Sequence, residues 1–231
     1  MADDVRRRAA AHVVVADLDA PDPDDDDRHH LARVLRLRPG EIVTVTDGAG
    51  AWRPCEFGDS RGSGPLLRPS GPVVVEPAPA GELTVGFAPV KGDRPEWVVQ
   101  KLTELGVDRI VVLRAARSVV RWDGERADRH VERLGRVARG AVGQCRRVRL
   151  PRIEVAEPVD LLGPGAVLAE PGGRELTAAD RIVLVGPEGG WSAEELALAG
   201  ARSTVTLGGA VLRAETAAVA AGVRLGALHG R

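Results

Sequence analysis

The chain has 231 residues, of which 44% are hydrophobic and 28% charged, and its formal net charge is -1. This length predicts one large domain or two modest ones, and the composition is typical of a globular protein. No run approaches the roughly 20 apolar residues that cross a bilayer, so we expect no membrane anchor. Cys55 and Cys145 are too far apart for a CxxC motif and are consistent with a reducing cytoplasm.

Charge is segregated along the chain. Residues 22–27 carry five aspartates, whereas residues 133–152 carry seven arginines and no acidic residue. Such an arginine run is either a solvated helix face or a phosphate-binding surface, and the sequence favours neither. The only two lysines, Lys91 and Lys101, lie close together, which suggests positions where a compact ammonium group is required.

The first third of the chain reads as short strands separated by turn residues. The strand candidates are HVVVADL, EIVTVTDG, AWRPCEF and GPVVVEP. One helix is predicted in DDDDRHHLARVLRLRPG, where aspartates precede an apolar series and Pro39-Gly40 ends it. A small β-rich barrel with one helix fits this part.

After a linker at residues 76–82 the pattern changes to strands alternating with helices, which predicts an α/β domain with a mainly parallel sheet. The last predicted helix, residues 216–228, is apolar or small around almost its whole circumference and is broken by Arg224. Such a helix is either a central core helix or one that packs against its own sheet and a second subunit, and we favour the second.

Two glycine-rich loops follow strands near the end of the chain. The first is GPEGG in RIVLVGPEGGWSAEEL, and the second is LGG in TVTLGGAVLRAETAAVAA. Neither is a Walker-type phosphate loop, since no Gly-Lys-Ser/Thr follows. Glycines permit close backbone approach to a ligand at strand ends, although a tight turn is the simpler explanation. Arg213 is unusual because a cation near a helix N-terminus is locally unfavourable without a compensating anion or π system.

These loops, together with KGDRPEWVVQKLTELGV and RHHLARVLRLRPGE upstream, resemble the RsmE family of ribosomal RNA methyltransferases within the SPOUT superfamily. The resemblance implies a PUA-like β-barrel that binds RNA at residues 1–76. It also implies a SPOUT α/β methyltransferase domain with a deep trefoil knot at residues 77–231. The implied activity is methylation of N3 of one uridine in 16S ribosomal RNA by a homodimer that uses S-adenosylmethionine.

The resemblance also assigns site residues. It implies Arg213 as the group that stabilises the uracil anion, with Glu215, another carboxylate or solvent accepting the proton. The cofactor residues that it implies are Glu170, Gly186, Pro187, Glu188, Gly189, Gly190, Trp191, Leu207, Gly208, Val211, Leu212 and Arg213.

RNA contacts are expected from both domains, mostly to phosphates. The barrel would contribute Arg28, His29, His30, Arg36 and Arg38. The second domain would contribute Lys91, Arg94, Gln100, Lys101, Glu104, Gln144 and Arg147. The adjacent histidines lack metal-ligand spacing, so we expect no metal. The partner is ribosomal RNA or the small ribosomal subunit.

The chain departs from the family pattern at Gly140 and Gly143, where acidic residues are usual, so a role for those carboxylates cannot be transferred. Each glycine weakens a helix by roughly 0.5 to 1 kcal/mol relative to alanine. Two other functions remain open. One is a catalytically idle RNA-binding factor in ribosome assembly, and the other is a nucleotide-binding enzyme that lacks the usual lysine.

Overall fold

A computed structural model describes residues 2–59, 64–200 and 203–231, and the chain divides into two compact units. Unit 1 comprises Met1–Pro79 and Arg139–Leu150, and unit 2 comprises Ala80–Ala138 and Pro151–Arg231. The stretch Arg139–Leu150, here called the arginine segment, therefore belongs to the same unit as the N-terminal strands.

Unit 1 is built on a five-stranded sheet. Its strands are β1 (Ala11–Val14), β2 (Ile42–Thr46), β3 (Ala51–Phe57), β4 (Leu67–Pro69) and β5 (Val74–Val75). The order is β1-β2-β3-β4 with β5 also paired to β3, and only the β1–β2 pair is parallel. Val43, Val45 and Phe57 pack with Leu31 in one core. The four predicted strands are present, and β4 was not predicted.

The helices of unit 1 differ from the prediction. A helix that was not predicted, α1 (Ala2–Arg8), precedes β1. The second helix, α2 (Asp25–His29), is capped by Asp24 and continues as a π-helical turn, His30–Val34. The expectation that Pro39-Gly40 ends this helix was wrong, because Arg36 already adopts a left-handed φ of 54°.

Unit 2 is an α/β fold with a six-stranded sheet. Its strands are β6 (Thr84–Phe87), β7 (Arg109–Leu113), β8 (Arg152–Ala156), β9 (Ala166–Arg174), β10 (Ile182–Val185) and β11 (Thr204–Val205). Its helices are α3 (Arg94–Glu104), α5 (Ala193–Ala199), α6 (Ala214–His229) and the part of α4 (Gly124–Cys145) that precedes the arginine segment. The order is β11-β9-β10-β6-β7-β8, and every pair is parallel. The predicted mainly parallel α/β sheet is thus confirmed.

Both faces of this sheet are covered, as the near-continuous apolar strands require. In β10, Val183 and Val185 enter the core under α3 and α6, whereas Leu184 enters a second core with Trp191. Helix α6 packs on α3, β6 and β10. It begins at Ala214, because Arg213 occupies the N-cap with an extended backbone.

Candidate functional site

The two glycine-rich loops of unit 2 line one cavity of ≈ 400 Å³. Loop 1 (residues 186–191) follows β10, and loop 2 (residues 206–213) follows β11. Part of β9 completes the wall. The lining residues are Ala169, Glu170, Pro171, Val185, Gly186, Pro187, Glu188, Gly190, Trp191, Thr206, Leu207, Gly208, Ala210, Val211, Leu212, Arg213, Ala214 and Ala217.

Loop 1 is shaped by Trp191. Its indole is buried, and Nε1 donates to the Ala169 carbonyl at 3.0 Å, which joins the loop to β9. A Cβ on Gly186 would lie 3.0 Å from the Trp191 ring, so a glycine is needed where the ring crosses the chain. Gly190 has a φ of +69°, and its N–H closes a turn onto the Pro187 carbonyl.

Gly189 is the one predicted cofactor residue that is absent from the cavity lining. Its carbonyl accepts a hydrogen bond from Arg117 at 3.1 Å, and a Cβ at this position would lie 3.4 Å from the Arg117 Cβ. Gly189 therefore contacts the loop that follows β7.

Loop 2 is held at both ends. At its start, the Thr206 N–H donates to the Arg174 carbonyl and its hydroxyl donates to the Gly208 carbonyl, each at 2.9 Å. At its end, Arg213 is the N-cap residue of α6, and its carbonyl accepts from the Ala217 N–H at 2.8 Å. The Arg213 side chain is exposed and makes no hydrogen bond or ion pair with the described part of the chain.

Glu215 lies outside the cavity lining, although we expected it beside Arg213. Its Oε1 is 3.3 Å from Nη1 of Arg94, and its Oε2 is buried without a hydrogen-bond partner among the described residues. The pairing links the first turn of α6 to the first turn of α3. Periodicity could not have predicted it, because the two residues are far apart in sequence.

The cavity contains two carboxylates as well as Arg213. Glu170 and Glu188 both line it, and neither side chain is bonded to another described residue. Carboxylates that face a partly apolar cavity can accept hydrogen bonds from hydroxyl or ammonium groups, and they favour a positively charged ligand.

Sequence reasoning missed part of the lining. Thr206 precedes the predicted Leu207, and Ala169 and Pro171 flank the predicted Glu170. Ala217 lies one helical turn after Arg213, so the i, i+4 spacing on α6 could have indicated it.

The residues expected to contact RNA are divided between the two units. In unit 1, His29, His30, Arg36, Arg38 and Gln144 are exposed. Arg28 is half-buried and donates to the Pro23 carbonyl at 2.9 Å. Arg147 also belongs to unit 1.

In unit 2, Lys91 is exposed, and Gln100 is half-buried on α3. Lys101 is paired with Glu104 at 2.8 Å, so the charges of these two predicted RNA contacts partly cancel.

Within residues 2–59, 64–200 and 203–231, no group of three or more His, Cys, Asp or Glu side chains is arranged to hold a metal ion. Across these ranges, no helix has both the length and the apolar character needed to span a membrane.

Both parts of the chain match models of known protein families. Residues 76–162 and 166–225 match the model described as RNA methyltransferase domain. Residues 23–63 match the model described as RNA methyltransferase PUA domain.

Individual relatives agree with these matches. The chain is 35% identical to ribosomal RNA small subunit methyltransferase E of Mycobacterium bovis, over 90% of this chain and 86% of that protein. A probable rRNA-methyltransferase from Porphyromonas gingivalis superposes with a TM-score of 0.80 at 27% identity, covering 95% and 98% of the two chains. Ribosomal RNA small subunit methyltransferase E from Neisseria gonorrhoeae, bound to S-adenosyl methionine, superposes with a TM-score of 0.75 at 25% identity, covering 94% and 97%.

Proposed function

The chain belongs to the RNA methyltransferase family, and we propose that it methylates N3 of one uridine in 16S ribosomal RNA with S-adenosylmethionine as methyl donor. The observation that carries this proposal is the convergence of two glycine-rich loops on one cavity that also presents an unpaired arginine. A relative with 25% identity over nearly the whole chain binds this cofactor.

The cavity fits the cofactor in size and chemistry. Its volume lies in the range of small-molecule sites, and its walls are mostly apolar side chains and glycine backbone. The carboxylates of Glu170 and Glu188 suit a ligand that carries hydroxyl groups and positive charge. We propose that these two residues hold the cofactor together with the residues of loops 1 and 2 that line the cavity. When bound, S-adenosylmethionine supplies an electrophilic methyl group on a positively charged sulfur.

We assign Arg213 to the uracil. Loss of the N3 proton leaves negative charge on the uracil carbonyl oxygens, and a guanidinium beside one of them stabilises that charge. Arg213 lines the cavity, and its side chain has no competing partner among the described residues. The N-cap position fixes its backbone at the start of a helix of 16 residues.

Glu215 suits a different role from the one expected. Because Glu215 is largely buried and pairs with the half-exposed Arg94, a positioning role for the start of α6 is the better proposal, with Glu170, Glu188 or solvent as proton acceptor.

We further propose that residues 1–76 form a closed PUA-like barrel and that residues 77–231 contain the trefoil knot. We propose RNA contacts from the exposed cations of both units and a cytoplasmic location beside the ribosomal substrate. A homodimer would cover the apolar face of α6 that is exposed at Val223 and Leu228.

Incubation of the purified protein with unmethylated 16S ribosomal RNA or 30S subunits and labelled cofactor tests this function. We expect one 3-methyluridine per RNA, located by nuclease digestion and mass spectrometry. If neither substrate gains a methyl group while the protein still binds RNA, the activity is wrong and the idle assembly factor is the better description.

A further inference from the structure

Arg224 interrupts the stretch 216–228 of α6, whose other residues are apolar or small, and its side chain points to a role in the site. One guanidinium nitrogen, Nη1, donates to the Thr206 carbonyl at 2.9 Å. The other, Nη2, is paired with the Glu175 carboxylate. Both partners lie outside α6, and Thr206 is the first residue of loop 2.

Without this contact, the start of loop 2 would be weakly held. The preceding strand β11 has two residues at the edge of the sheet, and its register against β9 is irregular. Beyond it, the Thr206 N–H makes one backbone hydrogen bond, to the Arg174 carbonyl. Edge strands this short contribute little stability by themselves.

Loop 2 has eight residues, and Gly208 and Gly209 give its backbone conformational freedom. The hydrogen bond from Arg224 to the Thr206 carbonyl fixes the start of the loop and therefore reduces this freedom.

We infer that Arg224 is a positioning residue that holds loop 2 in a shape ready for the cofactor, through its hydrogen bond to the Thr206 carbonyl. The inference rests on the proposed use of this cavity for S-adenosylmethionine. Arg224 is absent from the cavity lining, so it affects the cofactor only through the loop. A planar guanidinium suits the task because it presents two donors to two fixed acceptors, which an ammonium group does less well.

Two variants of Arg224 and a matched control test the inference. Arg224→Met keeps the apolar stem without the donors, and Arg224→Lys keeps the charge with one compact donor group. Arg181 serves as the control, since its Nη1 donates to the Ala80 carbonyl at 3.0 Å and it is absent from the cavity lining. All variants are made in the full chain.

Hydrogen–deuterium exchange of the ligand-free proteins measures how strongly the hydrogen bond from Arg224 to Thr206 restrains loop 2. We expect faster exchange in peptides covering residues 206–213 for Arg224→Met, with loop 1 unchanged and Arg181→Met like the parent. Unchanged exchange in loop 2 overturns the inference. If Arg224→Met does not fold, Arg224→Lys and Glu175→Gln give the same readout with a smaller expected change.

Titration calorimetry with S-adenosylmethionine measures the consequence. We expect Arg224→Met to raise the Kd about tenfold, because one hydrogen bond to a charged donor is lost. Arg224→Lys should give a smaller rise, and Arg181→Met should stay within about twofold. The KM for the cofactor should rise while kcat at saturation changes little. A parent-like Kd for Arg224→Met overturns the inference, whereas a parent protein that does not bind the cofactor overturns the proposed function instead.

Discussion

Arginine side chains have different surroundings in the cavity and in the arginine segment. On the cavity, Arg213 is exposed and makes no bond to another described side chain or carbonyl. In the arginine segment, Arg139 donates to the Val14 carbonyl at 3.0 Å, and Arg146 donates to the Ala9 carbonyl at 2.7 Å. Each of these two bonds connects the segment to the N-terminal part of unit 1.

The difference separates arginines that are available to a ligand from arginines that hold the fold. The seven-arginine run was equally consistent with a solvated helix face and a phosphate-binding surface. Within unit 1, neither interpretation describes Arg139, Arg146 or Arg149, whose donors are bonded to main-chain carbonyls. Such a group cannot turn to a phosphate without leaving a carbonyl unpaired, which costs about 1 to 3 kcal/mol.

The largest effect is expected at Arg213. Arg213→Ala should lower the rate of 3-methyluridine formation roughly 10²- to 10³-fold, because one preorganised donor to a developing anion is lost. The melting temperature should stay close to that of the parent, since the side chain has no partner to lose. The rate for Arg213→Lys, which keeps the charge, should lie between the rates of the parent and the alanine variant. A parent-like rate for the alanine variant, measured at saturating RNA and cofactor, would show that Arg213 is not the group that stabilises the uracil.

The next effect concerns His12, which connects β1 to the arginine segment. Its Nε2 donates to the Arg147 carbonyl at 2.9 Å, so Nδ1 accepts from the Thr44 hydroxyl at 2.8 Å in the neutral ring. Burial is the main cause that lowers the pKa of His12 to about 4 from its ordinary 6.5. The unfolded chain therefore takes up the proton first as the pH falls.

Neutral His12 makes its full contribution to the free energy of unfolding above about pH 6.5, and this contribution is lost as the pH falls toward 4. The loss should be about 3 kcal/mol. Urea unfolding at pH 7 and pH 4.5 measures it, with His12→Gln as the comparison. A parent and variant that lose stability equally over this range would show that His12 does not anchor the segment.

The smallest effects come from two glycines of α4 that differ in their surroundings. A Cβ on Gly143 would lie 2.9 Å from the His12 carbonyl oxygen, whereas nothing lies within 4 Å of a Cβ on Gly140. Gly143→Ala should therefore destabilise the protein by about 1 to 3 kcal/mol despite the better helix propensity of alanine. Gly140→Ala should stabilise it by about 0.5 to 1 kcal/mol. Denaturant unfolding gives the free energy of unfolding of both variants. Equal changes in this free energy would mean that the arginine segment does not pack against β1 at Gly143.

Sequence patterns predicted much of the fold where the signals are local. β-branched runs such as RIVLV predicted buried parallel strands, and glycines after strand ends predicted loops that the structure places on one cavity. The strand β8 was not predicted, although RIEVA alternates charged and apolar residues as a half-buried strand does. The knot and the cofactor were expectations from family resemblance, since neither leaves a periodic signal.

Contacts between residues far apart in sequence could not be predicted. The pairing of Glu215 with Arg94 and the bond from Arg224 to Thr206 depend on how helices pack, which residue spacing does not encode. The same holds for the arginine segment, which lies in the α/β half of the sequence but packs with the N-terminal strands.

Arg146 also has a conformation that most arginines avoid. It follows α4 with a φ of 60°, where glycine would relieve the backbone, yet its guanidinium is bonded to the Arg6 and Ala9 carbonyls. Glycine would suit the positive φ but has no side-chain donor. Lysine has a single ammonium group and cannot place two separate donors on the two carbonyls as the planar guanidinium does. This position should therefore tolerate few replacements in a saturation mutagenesis screen.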